Sequence, residues 1–265
     1  VPSKFNNILN DANDPMGVDV ADIDSVWLAC NGAIYLTNKV YSPTAYISVS
    51  FPALINETMR ILYWGIEQLQ YDVYLNSLNT YYSFFIPTNN SMLEYIDPVS
   101  YGKSKTQLYR FYYDKTKVNK EQRVWASIWN YDTETGMVLD SVGKTTDVNV
   151  IKNRLKDILE THIVIGYVED GRTYYRTKGG TEIRVSNVAA GANGMTVEGS
   201  YQINEGQPLP VTTIYDQTQG NGKSYILDGQ PILGTRMTVH DVLASREEFS
   251  EFYNLMLGSG LFEVI

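Results

Sequence analysis

A short motif occurs twice in this chain, and the repetition constrains the architecture before any local reading. Asn31-Gly32-Ala33-Ile34-Tyr35-Leu36-Thr37-Asn38 and Asn221-Gly222-Lys223-Ser224-Tyr225-Ile226-Leu227-Asp228 stand 190 residues apart. Each is an Asn-Gly turn leading into a short apolar strand, with Pro43 or Pro231 a little beyond. Helical spacing follows both copies. Leu54, Ile61, Leu62, Ile66, Leu69 and Val73 mark a helical region over 54–78, and Val242, Leu243, Phe249, Phe252, Tyr253, Leu255 and Met256 mark another over 239–257. The order strand-then-helices therefore occurs twice. It divides the chain into a repeat's tail (1–50), one whole repeat (51–233) and the opening helices of the next (234–265).

Between the copies, Tyr81 to Ile86 reads as a strand stopped by Pro87, and Thr88-Asn89-Asn90-Ser91 supplies capping chemistry for a short helix at 92–96. Two β-favouring runs, 108–113 and 124–131, predict a hairpin, and Val148 to Ile163 returns to helical spacing behind Asp147. Strand-like runs at 173–177, 181–185, 195–197 and 211–215 then predict a β-meander. Helices first and strands later give an α+β domain with a mainly antiparallel sheet.

At 265 residues with 43% hydrophobic and 19% charged residues, including 21 Tyr and 4 Trp, the chain has the composition of an ordered globular protein. Its formal charge of −9 argues against a nucleic acid or anionic bilayer as the main partner. No apolar run approaches the roughly 18 residues a membrane span needs. The lone Cys30 permits no internal disulfide and is expected to be a small buried hydrophobe.

Candidate chemistry is sparse. The histidines are His162, at a helix exit before the apolar Ile163-Val164-Ile165, where a half-buried ring bonding the backbone is the simpler reading, and His240, beside Asp241 on a helix and expected to be solvated. Neither has nucleophile or metal partners at diagnostic spacing, and no phosphate-cradling loop, dinucleotide fingerprint or nucleophile elbow appears, so neither catalysis nor a cofactor is expected. Asp11, Asn13 and Asp14, with Asp19, Asp22 and Asp24, offer hard oxygen ligands to calcium but lack the twelve-residue loop's glycine and terminal glutamate; a solvated acidic loop is the simpler reading. Tyr109, Phe111, Tyr113, Trp125, Trp129 and Tyr131 alternate along the two hairpin strands, placing them on one face, either as a binding platform or as cover for the core.

Phe84-Phe85-Ile86-Pro87-Thr88-Asn89-Asn90-Ser91, the later Gly222-Lys223-Ser224-Tyr225-Ile226-Leu227-Asp228, and the helix running into a histidine-bearing strand at 155–166 together resemble the fasciclin-like domain. The resemblance covers residues 54–233 and implies a wedge or sandwich of mainly antiparallel sheet packed with several helices. The stretch 99–147 is then an inserted β-hairpin. It also implies tandem occurrence, export to an extracellular or outer-membrane surface, and adhesion without catalysis. Animal members carry a Tyr-His pair associated with integrin binding, whereas Thr161 precedes His162 here, so that property is not transferred. The composition resembles Bacteroides-type bacterial surface proteins, lipoproteins among them, more than animal ones. Two functions follow as expectations: an adhesion or scaffolding module contacting a surface protein, His162 included among its binding residues, or a polysaccharide-binding module using the aromatic hairpin. The incomplete terminal repeats are expected to close on each other or to self-associate.

Overall fold

The computed structural model describes residues 9–10, 15–100, 105–133, 135–218, 220–234, 239, 243–244 and 246–260. It is a mixed α+β structure with mostly antiparallel sheets. The first hairpin, β1 (Ile23–Ala29) and β2 (Gly32–Thr37), is followed by α1 (Phe51–Ile55), α2 (Arg60–Gln68) and α3 (Tyr71–Leu75). The helices expected over 54–78 are three, and the first begins upstream, at Phe51. Asn56 adopts an extended backbone and returns its side-chain amide to Pro52 O at 2.9 Å, closing α1, and Gln70 takes a left-handed conformation (φ 57°) between α2 and α3.

Strand β3 (Tyr82–Pro87) comes next. The helix expected at 92–96 is instead a 3-10 turn, Ser91–Leu93, running into the two-residue strand β4 (Tyr95–Ile96), because Tyr95 and Ile96 pair with Tyr109 and Leu108. That pairing begins a four-stranded antiparallel sheet of β4, β5 (Thr106–Tyr113), β6 (Val124–Tyr131) and β7 (Val138–Thr145). This stretch therefore forms a larger sheet than the expected hairpin. Helix α4 (Val148–His162) forms as expected: the Asp147 carboxylate accepts from the Asn149 and Val150 amides, and Ile151, Leu155, Ile158 and Leu159 line its buried face.

The remaining strands are β8 (Ile163–Ile165), β9 (Tyr174–Arg176), β10 (Glu182–Ser186), β11 (Thr196–Glu198), β12 (Leu209–Gln217) and β13 (Gly222–Leu227), with α5 (Ser200–Glu205) between β11 and β12. They assemble with β3 in the order β8-β3-β13-β12-β11-β10-β9. All neighbours are antiparallel except β3 and β13, which run parallel from Gly222↔Tyr82 to Leu227↔Pro87. A bridge between Val164 and Thr177 links the two outermost strands, so the sheet curls back on itself.

The alternation of side chains along β3 and β13 divides the interior in two. Phe84, Ile86 and Ile226 face the helices and join Leu62, Ile66, Leu155 and Ile158; Phe85, Tyr225 and Leu227 face the curled sheet and join Ile183, Val185, Val197 and Val211. Each such side chain contributes about 1.5–3 kcal/mol by burial. Thr44, Ser48, Val49 and Ser50 are also buried, so the packed unit reaches upstream of residue 51. Neither the first hairpin nor the last described helix, α6 (Ser250–Gly258), contributes a residue to either core. Among the described residues no helix is long and apolar enough to cross a membrane.

Candidate functional site

The register of β5 against β6 decides where the aromatic residues point. Tyr109 faces Ile128, Phe111 faces Ala126 and Tyr113 faces Val124, while Tyr112 faces Trp125 and Leu108 faces Trp129. Residues directly opposite in an antiparallel pair share a face. The six aromatics expected to form one face are therefore split. Tyr109, Phe111 and Tyr113 lie on the side with Val124 and Ala126, and Tyr109 and Phe111 are buried. Trp125 and Trp129 lie on the reverse side, half-buried, and Trp129 also packs against the core that holds Leu108 and Tyr131. Tyr131 sits at the end of the strand opposite Thr106 and is buried in the core. Alternation within each strand was legible; the relative phase of the two strands is set by the connection at 114–123, and it places the two aromatic rows in opposite directions.

On the inner side, Arg154 of α4 reaches over the Tyr109 ring at 5.6 Å and pairs with Asp97 at 2.9 Å. Burial pushes the Tyr109 hydroxyl above its ordinary pKa. These contacts belong to the core.

The outer side has the makings of a binding face. Tyr112 stacks on Trp125 with centroids 4.5 Å apart and planes 21° from parallel. The Arg110 guanidinium lies 5.2 Å from the Trp129 ring centroid, and the Trp129 indole N–H donates to Ser127 Oγ at 3.0 Å. The row continues onto β7, where Lys144 pairs with Ser127 and Ser141 with Trp129. Two ring systems are thus interleaved with a guanidinium, an ammonium and hydroxyls. Arg110, Tyr112, Ser127 and Lys144 were not singled out from the sequence; the signal for them was their alternation with Phe111, Tyr113 and Trp129.

A cleft adjoins this face. Because β4 covers only Leu108 and Tyr109, the edge of β5 is open beyond them, and a cavity of about 390 Å³ lies between that edge, the Asn89–Leu93 turn and the start of α2. Tyr112 and Tyr113 line it together with Glu57, Asn89, Asn90 and Lys115. The turn is rigid: the Asn89 carboxamide accepts from the Ile61 amide at 3.1 Å and donates to Glu57 O at 3.0 Å, and its backbone N–H donates to Thr58 O. The volume falls within the range of small-ligand sites.

His162 lies elsewhere and is fully buried. Its Nδ1 is 2.6 Å from Ile158 O, and the Ile232 amide donates to Nε2 at 2.9 Å. A carbonyl only accepts and an amide only donates, so the ring is the neutral Nδ1–H tautomer with both nitrogens committed to backbone. Burial lowers its pKa to about 4. His162 is a strut between α4 and the segment after β13, out of reach of a surface ligand.

The remaining candidates are separated from this face or undescribed. Asp11, Asn13, Asp14 and His240 lie outside the described residues. Beyond them Asp19 and Asp24 are solvent-exposed as expected, though local bonds and a strand order the stretch. Asp19 and Asp22 cap each other across a 3-10 turn, the Tyr41 hydroxyl donates to Asp22 at 2.8 Å, and Asp24 lies within β1. The Tyr41 hydrogen bond, foremost, holds the Asp22 carboxyl below its usual range. Among the described residues no group of three or more His, Cys, Asp or Glu gathers as a metal site would require. Cys30 is exposed, contrary to expectation, because it occupies the tip of the β1–β2 turn.

No protein-family model and no curated protein matches this chain. The functional reading therefore rests on the residues themselves.

Proposed function

We propose that this chain is a non-catalytic surface module that captures a polysaccharide on the outer face of its inserted sheet. The observation that carries the reading is the pair of half-buried ring systems, Tyr112 on Trp125 and Trp129 beneath Arg110, flanked by Ser127, Lys144 and the cleft beside Tyr113. The C–H face of a pyranose is apolar and weakly positive, which suits the negative face of an aromatic ring, while its hydroxyls need donors and acceptors at the rim.

The fasciclin-type fold is part of this proposal. Its support is the parallel pairing of β3 with β13, which joins the two sequence boxes, and the run of α4 through His162 into β8. Such a fold also carries the proposal of an exported location, and the repeated hairpin favours a second reading, adhesion or scaffolding through contacts with surface proteins.

Retention on a panel of immobilised polysaccharides tests the first reading. Wild-type protein should be retained by at least one, and Trp125→Ala and Trp129→Ala should each lose on the order of tenfold in affinity, as about 1.4 kcal/mol per lost ring contact requires. Unchanged retention in both variants would refute it. Retention on matrix proteins in place of glycans would support the second.

A further inference from the structure

The internal repeat extends to strand register and helix length. In the second hairpin Gln217 pairs with Gly222, Asp216 with Lys223, Tyr215 with Ser224, Ile214 with Tyr225, Thr213 with Ile226 and Val211 with Leu227, a bulge leaving Thr212 unpaired. In the first, Ala29 pairs with Gly32, Leu28 with Ala33, Trp27 with Ile34, Val26 with Tyr35, Ser25 with Leu36 and Ile23 with Thr37, a bulge leaving Asp24 unpaired. The two hairpins agree pair for pair, bulge included. The 3-10 turn Glu57–Met59 and the nine-residue α2 reappear 190 residues later as the turn Glu247–Phe249 and the nine-residue α6.

The two copies differ in what covers them. The segment from Val49 through α1 packs on the second hairpin, and α2 shares one core with it: the Val49 amide donates to Asn221 Oδ1 at 2.9 Å, Ser224 Oγ donates to Val49 O at 2.6 Å, Phe51 meets Tyr215 edge-on, and Leu62 and Ile226 lie in the same cluster. Ile226 is consequently 5% exposed and Leu62 0%. Their counterparts, Leu36 on the first hairpin and Phe252 on α6, are 51% and 54% exposed. Among the described residues the first hairpin pairs with no further strand.

We infer that the first hairpin of one molecule is the docking site for Val239 and residues 246–258 of a second copy of this chain, joining copies head to tail. The intramolecular packing of Val49 to Gln68 on β12–β13 is the template. Asn31 repeats Asn221 and Val239 repeats Val49, so one of the two anchoring bonds is available; Ile34 replaces Ser224, exchanging the second for apolar contact. Each copy carries one donor segment and one acceptor hairpin on different surfaces, so the contact is heterologous and extends into chains. The inference is independent of the glycan reading, whose face lies on another sheet.

Sedimentation velocity and light scattering on wild type and two variants test it. Leu36→Asp disables the hairpin and Phe252→Asp the helix; both positions lie outside the two cores, so melting should not move. Wild-type mass should rise with concentration beyond that of one 30.0 kDa chain. Each variant alone should stay monomeric, and an equimolar mixture should give particles of twice the monomer mass and no larger, because each partner keeps one competent surface. Trp27→Lys, at the position equivalent to Tyr215, should reproduce the Leu36→Asp pattern. Wild type that stays monomeric at every concentration would overturn the inference, as would a mixture that stays monomeric or self-association retained by either variant alone.

Discussion

Val49 and Asn221 are 172 residues apart in sequence and joined by a buried hydrogen bond of 2.9 Å from the Val49 amide to the Asn221 side-chain oxygen. The same carboxamide donates to Leu75 O at 2.6 Å and to Ser77 O at 2.8 Å. One side chain thus ties the turn before β13 to the start of the helices and to the segment leading into β3. Asn221→Ala strands two buried backbone groups and one part-buried one and should cost about 3–5 kcal/mol. Asn31→Ala, at the equivalent but exposed position, should fall within about 0.5 kcal/mol of wild type. Urea melts of the two variants check the contrast.

Gly222 and Gly32 make a second matched pair. A Cβ on Gly222 would lie 1.9 Å from Tyr82 O, and its φ of +148° is unfavourable for other residues, whereas a Cβ on Gly32 would meet nothing within 4 Å. Gly222→Ala should force β3 away from β13 and cost about 3 kcal/mol or more. Gly32→Ala should leave the melting temperature of dilute protein unchanged.

Asp97, almost fully buried, pairs with Arg154 and accepts from the Val99 amide at 3.2 Å. Asp97→Ala leaves the partly buried guanidinium without its counter-charge and should cost about 3–5 kcal/mol. Calorimetric melting should show the loss. Polysaccharide retention by the fraction that stays folded should not change, since Asp97 lies on the inner side of the inserted sheet.

His162 sets a pH dependence whose direction follows from its neutral tautomer. Unfolded, the ring takes a proton near 6.5; folded, only near 4. Between these values the unfolded state binds more protons, so stability is full above about pH 6.5 and falls as pH drops, by about 1.4 kcal/mol per unit and roughly 3 kcal/mol in all. His162→Gln should lower stability at neutral pH and flatten the dependence through this window. An NMR titration of the ring with a midpoint near 6.5 would contradict the assignment.

The sequence disclosed the alternating strands, α4 and the repeated hairpin, because period-2 and period-3.6 patterns and Asn-Gly turns are local signals. It did not disclose β7, where Val138, Leu139 and Val142 are exposed on an edge strand and carry no alternation. Nor did it show the break of one helical stretch at Asn56 and Gln70, which depends on backbone conformations that tertiary packing selects. The proposed binding face was half legible. Trp125 and Trp129 stood out by type, whereas Tyr112 and Arg110 joined them only once the register across the 114–123 connection was fixed. Cys30 went against its type for a simple reason: a two-residue turn tip cannot be buried by its own hairpin.

The four tryptophans place an indole probe at each region that matters: Trp27 on the first hairpin, Trp64 in the helical core, and Trp125 and Trp129 on the outer face of the inserted sheet. Indole N–H chemical shifts followed while adding the best-retained polysaccharide fragment test the proposed site most directly. The Trp125 and Trp129 resonances should move together and saturate at the same ligand concentration while those of Trp27 and Trp64 stay fixed. Movement of Trp27 alone, or of none of the four, would contradict the account.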